Sequence, residues 1–288
     1  MKSFLCALAA SCTLATAASA DPALWRVSDA DSEIYFFGSI HILKPDTQWR
    51  TPELERLLTE ADEFYYELPM TAEAQAASQA VVMRYAPSRD GRPVDAFLNA
   101  DQQAQFDRVA ASFGLHGDQL QGFRPWFAAV TLSLLSVQAQ GYDPQSGVEA
   151  QLSAITPDDR ERALESYEQQ FGFFDHLPDP VQSEFLAVSI EQIENEPDLL
   201  DDMVEAWAAG DVETLNRVFH ESMLESGEAV YQSLIIDRNT AWTDEVETLL
   251  EGSGLTLFIV GAGHLVGPDS VPAMLEARGY EVERVEAR

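Results

Sequence analysis

Leu255-Thr256-Leu257-Phe258-Ile259-Val260-Gly261-Ala262-Gly263-His264 is an uncharged apolar run that ends in glycines and a histidine. Near the other end of the chain, Ile34-Tyr35-Phe36-Phe37-Gly38-Ser39-Ile40-His41 has the same form. A short run rich in β-branched and aromatic residues and closed by glycine reads as a buried strand, since a buried helix would need more residues. The elements downstream repeat as well. After His41 comes a loop with Pro45, a helix over 52–61 opened by Pro52, and a strand Phe64-Tyr65-Tyr66-Glu67-Leu68. After His264 comes a loop with Pro268, a helix over 269–278 capped by Asp269 or Ser270 and stopped by Gly279, and a last strand over 280–285. Each end of the chain spells strand, GxxH, loop, helix, strand.

Leu24-Trp25-Arg26-Val27 adds a strand before the first run, across the polar turn Asp29 to Ser32. The middle carries helical spacing of Ala, Leu and Met over 72–85, 100–113, 124–140, 148–155, 180–194, 197–209, 212–224 and 239–251. The expected fold is α/β, with a mixed central sheet built from two βαβ-like terminal halves and a large helical middle region.

Composition limits the function. Seventeen Lys and Arg face 49 Asp and Glu in 288 residues, for a formal net charge of -32. Nucleic acid and anionic lipid surfaces repel such a chain, so neither is an expected partner, and no stretch after residue 20 has transmembrane length. Residues 1–20 read as a signal peptide: Lys2, an apolar run from Phe4 to Ala17, then Ala18-Ser19-Ala20 as a small-x-small cleavage site. The expected organisation is therefore 1–20 removed on export and 21–288 as one domain, periplasmic or secreted. A lipoprotein anchored at Cys12 is the less favoured version. Cys6 and Cys12 both leave with the signal peptide, which removes thiol nucleophiles and thiolate ligands. GxSxG, HExxH and GxxxxGK do not occur, and Gly261-Ala262-Gly263 lacks the third glycine of a dinucleotide fingerprint at its place.

Of five histidines after residue 20, only His41 and His264 follow strands behind glycines. His116 reads as a turn, His176 as a loop residue before Pro178 and His220 as a helix-surface residue. In open α/β sheets, ligands bind at the carboxyl ends of strands, where glycine permits tight turns and close approach. If the two ends share one sheet, His41 and His264 converge there, with Glu67 at a matching height. Two imidazoles and a carboxylate suit a divalent ion with open positions. The blander reading makes each histidine a loop cap and Glu67 an ion-paired strand end.

The motifs Tyr35 to His41, Arg124-Pro125-Trp126, Gly147-Val148-Glu149, Leu164-Glu165-Ser166, Arg238-Asn239 with Trp242, and Val260 to Leu265 with Gly267 resemble those of the TraB/GumN family. That family includes the TIKI proteases and more remotely resembles erythromycin esterase and ChaN-like folds. The resemblance implies one TraB/GumN-like domain with paired GxxH motifs (glycines Gly38, Gly261 and Gly263) and a metal-dependent hydrolase, foremost a peptidase, acting on a peptide or other small substrate. It implies His41, His264 and Glu67 as metal ligands for manganese, cobalt or zinc, and Glu67 and Arg238 as catalytic groups. Glu165 and Glu149 are secondary candidates. Ser39 stands where threonine is common in the family and Glu149 where aspartate is common. The bland alternatives are an ion pair for Arg238, with Asn239 capping the next helix, and solvated or capping roles for Glu149 and Glu165 unless they turn inward. The competing function is a haem-, metal- or peptide-binding protein without catalysis, its cleft lined by Phe36, Phe37, Trp49, Tyr65 and Trp126.

Overall fold

The computed structural model describes residues 21–116 and 118–285. The signal-peptide and Cys12 readings therefore lie outside the described residues. Six strands form one mixed sheet: β1 (Leu24–Ser28), β2 (Ser32–Ser39), β3 (Glu63–Tyr66), β4 (Glu161–Ala163), β5 (Gly254–Gly261) and β6 (Val282–Val285). Their order is β4-β3-β5-β2-β1-β6. β2 and β5 pair in parallel in register Gly38↔Val260 and Ser39↔Gly261, which sets the two terminal halves side by side as expected. β3 joins β5 in parallel, and β4 joins β3 in parallel. β1 runs antiparallel to both β2 and β6. Four neighbouring strands thus point their carboxyl ends to the same edge.

The apolar runs of β2 and β5 are continuous because both faces of the sheet are covered. Tyr35, Phe37, Leu257, Ile259, Phe64 and Tyr66 point to one face. There they meet α1 (Pro52–Glu60), α5 (Val148–Ser153), α8 (Leu199–Ala208) and α9 (Val212–Glu225) through Leu54, Leu57, Leu152, Trp207 and Leu215. Ile34, Phe36, Tyr65, Phe258 and Val260 point to the other face, toward α11 (Asp237–Leu250) and α12 (Val271–Ala277). On that face Phe258 stacks on Tyr65, with ring centroids 4.9 Å apart. The remaining helices are α2 (Ala72–Tyr85), α3 (Ala100–Ser112), α4 (Pro125–Ala139), α6 (Tyr167–Asp175), α7 (Asp179–Asn195) and α10 (Glu228–Tyr231). α3, α4 and α7 close a separate apolar core around Phe106, Leu132, Leu186 and Ile190.

Phe36, Phe37, Trp49, Tyr65 and Trp126 all have 7 % exposure or less. They fill the cores and do not line an open cleft. Three elements escaped the periodicity reading: β4, only three residues long, α6, whose YEQQFGFFD mixes polar and aromatic residues, and α10, a single short turn. α10 continues through a π-helical turn, Gln232–Ile236, into α11.

Gly147 precedes α5 where the chain crosses the His41 loop. The two segments are tied by Val148 N–H to the Ile40 carbonyl at 3.0 Å and Asp143 N–H to the Leu43 carbonyl at 2.9 Å. A Cβ on Gly147 would lie 2.1 Å from the His41 carbonyl oxygen. Gly147→Ala should therefore push the His41 loop off its seat and cost about 1–3 kcal/mol, as overpacking does. Urea denaturation measures it, and a change below about 0.5 kcal/mol would contradict this packing.

Candidate functional site

The carboxyl ends of β4, β3, β5 and β2 deliver Glu165, Glu67, His264 and His41 in that order across one edge of the sheet. Pairing runs on past β3 and β4, with Leu164 N–H on the Tyr66 carbonyl and Glu165 N–H on the Glu67 carbonyl, both at 2.9 Å. This holds the two glutamates side by side. Both turn inward, as does Glu149, with exposures of 6 %, 5 % and 8 % for Glu165, Glu67 and Glu149. Glu149 and Glu165 thus meet the exception stated for them: both turn inward and are buried at the edge.

Arg238 lies between the carboxylates. Its Nη2 donates to Glu67 Oε2 at 2.5 Å and to Glu165 Oε2 at 3.0 Å, and its Nε donates to Glu165 Oε1 at 2.7 Å. Nη1 reaches His264 Nε2 at 3.0 Å and the Leu234 carbonyl at 3.3 Å. Leu234 lies inside the π turn, so the turn that precedes Arg238 also supplies one of its acceptors. The guanidinium lies over the Trp242 ring, 4.8 Å from its centroid, and Trp242 Nε1 donates to Glu165 Oε1 at 3.0 Å. Arg238 is thus ion-paired with Glu67 and Glu165. The capping role given to Asn239 is corrected, because Asn239 sits inside α11, fully buried. Its Nδ2 donates to the Asp269 carbonyl at 2.7 Å, which orients Oδ1 toward His264 Nδ1 at 2.6 Å. His264 Nδ1–H then donates to Asn239 and Nε2 accepts from Arg238, so the ring is neutral with both nitrogens engaged.

His41 is built differently. Its side chain is 63 % exposed, Nδ1 meets Glu149 Oε1 at 2.6 Å, and Nε2 makes no hydrogen bond to a described residue. Ser39 Oγ donates to the same Glu149 oxygen, while Oε2 is buried without a partner. His41, Glu67 and Glu149 line a cleft of about 260 Å³ with Tyr66, Leu68, Met70, Pro144, Ala150 and Gln170. Ser39 and Gln170 were not singled out as site residues: Ser39 looked like a variant motif position, and Gln170 lies on α6, which escaped the periodicity reading.

The electrostatics separate the two imidazoles. The Glu149 carboxylate raises the His41 pKa to about 9. Burial, then the Arg238 charge, lowers that of His264 to about 3. Burial works against the Glu67 carboxylate, but Arg238, His264 and His41 together hold its pKa well below the usual range, which makes it a poor proton acceptor. Burial pushes Glu165 up. The signs for stability follow. His41 favours the folded state below its ordinary pKa near 6.5, and that contribution fades as pH rises through about 9. Neutral His264 favours it above 6.5, and that contribution fades as pH falls toward about 3. Histidine NMR should show two imidazoles titrating several units apart, and Glu149→Gln should bring His41 back toward 6.5. Coincident titrations would contradict the assigned contacts.

The predicted ligand trio is His41, His264 and Glu67. Glu67 Oε1 lies 3.9 Å from His41 Nε2 and 4.0 Å from His264 Nε2, beside the space that Gly261 leaves open by lacking a Cβ. But His264 Nε2 already accepts from a guanidinium, whose positive charge would face the ion at contact distance. Among the described residues, no group of three or more His, Cys, Asp or Glu side chains is placed to hold a metal ion. As folded, the trio does not fit: Arg238 takes the cationic position between the carboxylates.

The model of the TraB/PrgY/gumN family matches residues 23–284, nearly the whole chain. This chain belongs to the TraB/PrgY/gumN family. Searches of the curated proteins and of the solved structures gave no match. In this TraB/PrgY/gumN chain the motif glycines act by close approach: a Cβ on Gly38 would lie 3.1 Å from Ala262 Cα, and one on Gly263 would enter the Phe219 ring. Among the described residues, no helix is long and apolar enough to cross a membrane.

Proposed function

We propose that this TraB/PrgY/gumN chain is an exported hydrolase of carbonyl compounds, foremost a peptidase, with its reacting centre at His41. One observation carries the reading: an exposed imidazole, oriented through Nδ1 by a buried carboxylate, presents a free Nε2 at a cleft that can hold a small substrate. That is the arrangement of a general base and its orienting partner. Nε2 takes a proton from the attacking water, Glu149 stabilises the imidazolium that forms, and the same proton passes to the leaving group. The Glu67–Arg238–Glu165–His264 network is the rigid polar floor beneath the cleft.

Because the trio does not fit an ion as folded, no step is routed through a metal. Metal analysis of the purified protein tests this directly. The expected content of manganese, cobalt or zinc is well below one per chain after each has been supplied. About one ion per chain that disappears in a His41→Ala/His264→Ala variant would restore the metal-dependent mechanism. The hydrolase reading itself is tested by a fluorogenic peptide and ester panel with wild type and His41→Ala. Turnover confined to wild type is expected, and equal turnover in both would overturn the assignment of His41. A haem band in the visible spectrum would instead favour the binding protein, but the aromatic residues expected to flank haem are core, and the cleft of about 260 Å³ is small for it.

A further inference from the structure

The wall of the cleft is predominantly apolar. Leu68 and Met70 come from the segment that follows β3, and Pro144 and Ala150 come from the segment tied to the His41 loop. Its charged groups are His41, Glu67 and Glu149, and among the described residues no Lys or Arg lines it. The nearest guanidinium, Arg238, lies behind Glu67 with donors on Nε, Nη1 and Nη2 all directed at Glu165, Glu67, His264 and Leu234. An anionic group in the cleft would meet two carboxylates and find a positive charge only at His41, which Glu149 already pairs. The chain's net charge of -32 adds to that repulsion. The remaining polar wall group is neutral: the half-buried Gln170 amide, whose side chain makes no hydrogen bond to another described residue. An amide with donor and acceptor both free reads a peptide-like C=O or N–H.

We infer that the cleft selects an uncharged carbonyl compound with an apolar side chain beside the reacting bond, read by Gln170 and seated against Leu68, Met70, Pro144 and Ala150, and that it rejects a free carboxylate at that position. The inference rests on the hydrolase reading for its site and adds the chemical class of the ligand. On a peptide it means an internal bond next to an aliphatic residue, not the bond that precedes a C-terminal residue.

Two probes of one size separate the charge from the shape: N-acetyl-L-leucinamide, which is neutral, and N-acetyl-L-leucine, which is anionic at pH 7. Calorimetric titration of the full-length exported chain should show the amide binding about tenfold or more tightly than the acid, the penalty of one like charge a few ångströms away in a half-solvated site. Ala150→Trp, which fills the apolar end, should abolish binding of the amide while circular dichroism confirms the fold. Met70→Arg, which places a cation in the wall, should raise affinity for the acid. Equal or tighter binding of the acid by wild type, or no binding of either probe, would overturn the inference. Turnover of N-acetyl-L-leucine p-nitroanilide is read alongside. Amide binding without turnover overturns the hydrolase reading and leaves the ligand class standing, whereas turnover with indifferent binding does the reverse.

Discussion

Arg238→Met should cost about 3–5 kcal/mol of folding free energy, a large part of the roughly 5–15 kcal/mol that typical domains possess. The reason is the asymmetry of buried ion pairs. Arg238 is 7 % exposed and is the cation shared by Glu67 and Glu165, at 5 % and 6 % exposure. Removing it leaves two carboxylates in the interior, a few ångströms apart, with no counter-charge and several lone pairs without donors. Methionine fills much of the volume, so the effect measured is chiefly that of charge. Urea denaturation gives the number, and a loss below about 1 kcal/mol would mean that the pair is solvated in solution. A control separates charge from packing: adding Glu67→Gln and Glu165→Gln to Arg238→Met should recover part of the loss, because the uncompensated charges are gone.

His41→Ala is expected to do the opposite, abolishing function while sparing the fold. The imidazole is 63 % exposed and its removal opens no cavity, but it leaves the buried Glu149 carboxylate without its cation, so stability should fall by about 1–3 kcal/mol while the fold is kept. Hydrolysis should fall by about 10²–10⁴-fold, the usual contribution of a positioned general base. Wild-type kcat/KM should climb from neutrality, reach half its plateau near pH 9 and flatten above it, because Nε2 accepts a proton only once the imidazolium favoured by Glu149 has lost its own. In Glu149→Gln the climb should move toward 6.5, with a lower plateau because the partner that orients and stabilises the ring is weaker. A profile flat from pH 6 to 10, or an alanine variant as active as wild type, would remove His41 from the reaction.

The parts of this arrangement that were legible in the sequence are those with a local signature. The two apolar runs closed by glycines gave the central parallel pair, and the histidines behind them fell where strand ends fall. Family membership was also readable from the motifs and agrees with the match over residues 23–284. What the sequence did not show is which partners each group would meet. Glu149 and Glu165 carry no local signal of their surroundings, and the partners they meet lie more than 70 residues away. Asn239 looked like a cap because Arg238-Asn239 opens an apolar-periodic stretch. The π turn carries the helix through that point and puts both residues in its interior. A π turn has no composition that separates it from ordinary helix.

The pairing of Ser39 with Gly261 joins residues about 220 positions apart, and both GxxH loops depend on it. During synthesis the first GxxH, its helix and β3 emerge long before β5 exists, so β2 and β3 have a gap between them that only the last part of the chain can fill. Closing so long a loop is entropically costly and slow compared with forming the local helices. Until that closure the Glu67 carboxylate lacks Gly261 and Arg238 lacks His264. A nascent or partly delivered chain therefore carries every residue of the site except the ones that complete it, and the competence of the site reports that the whole chain has arrived.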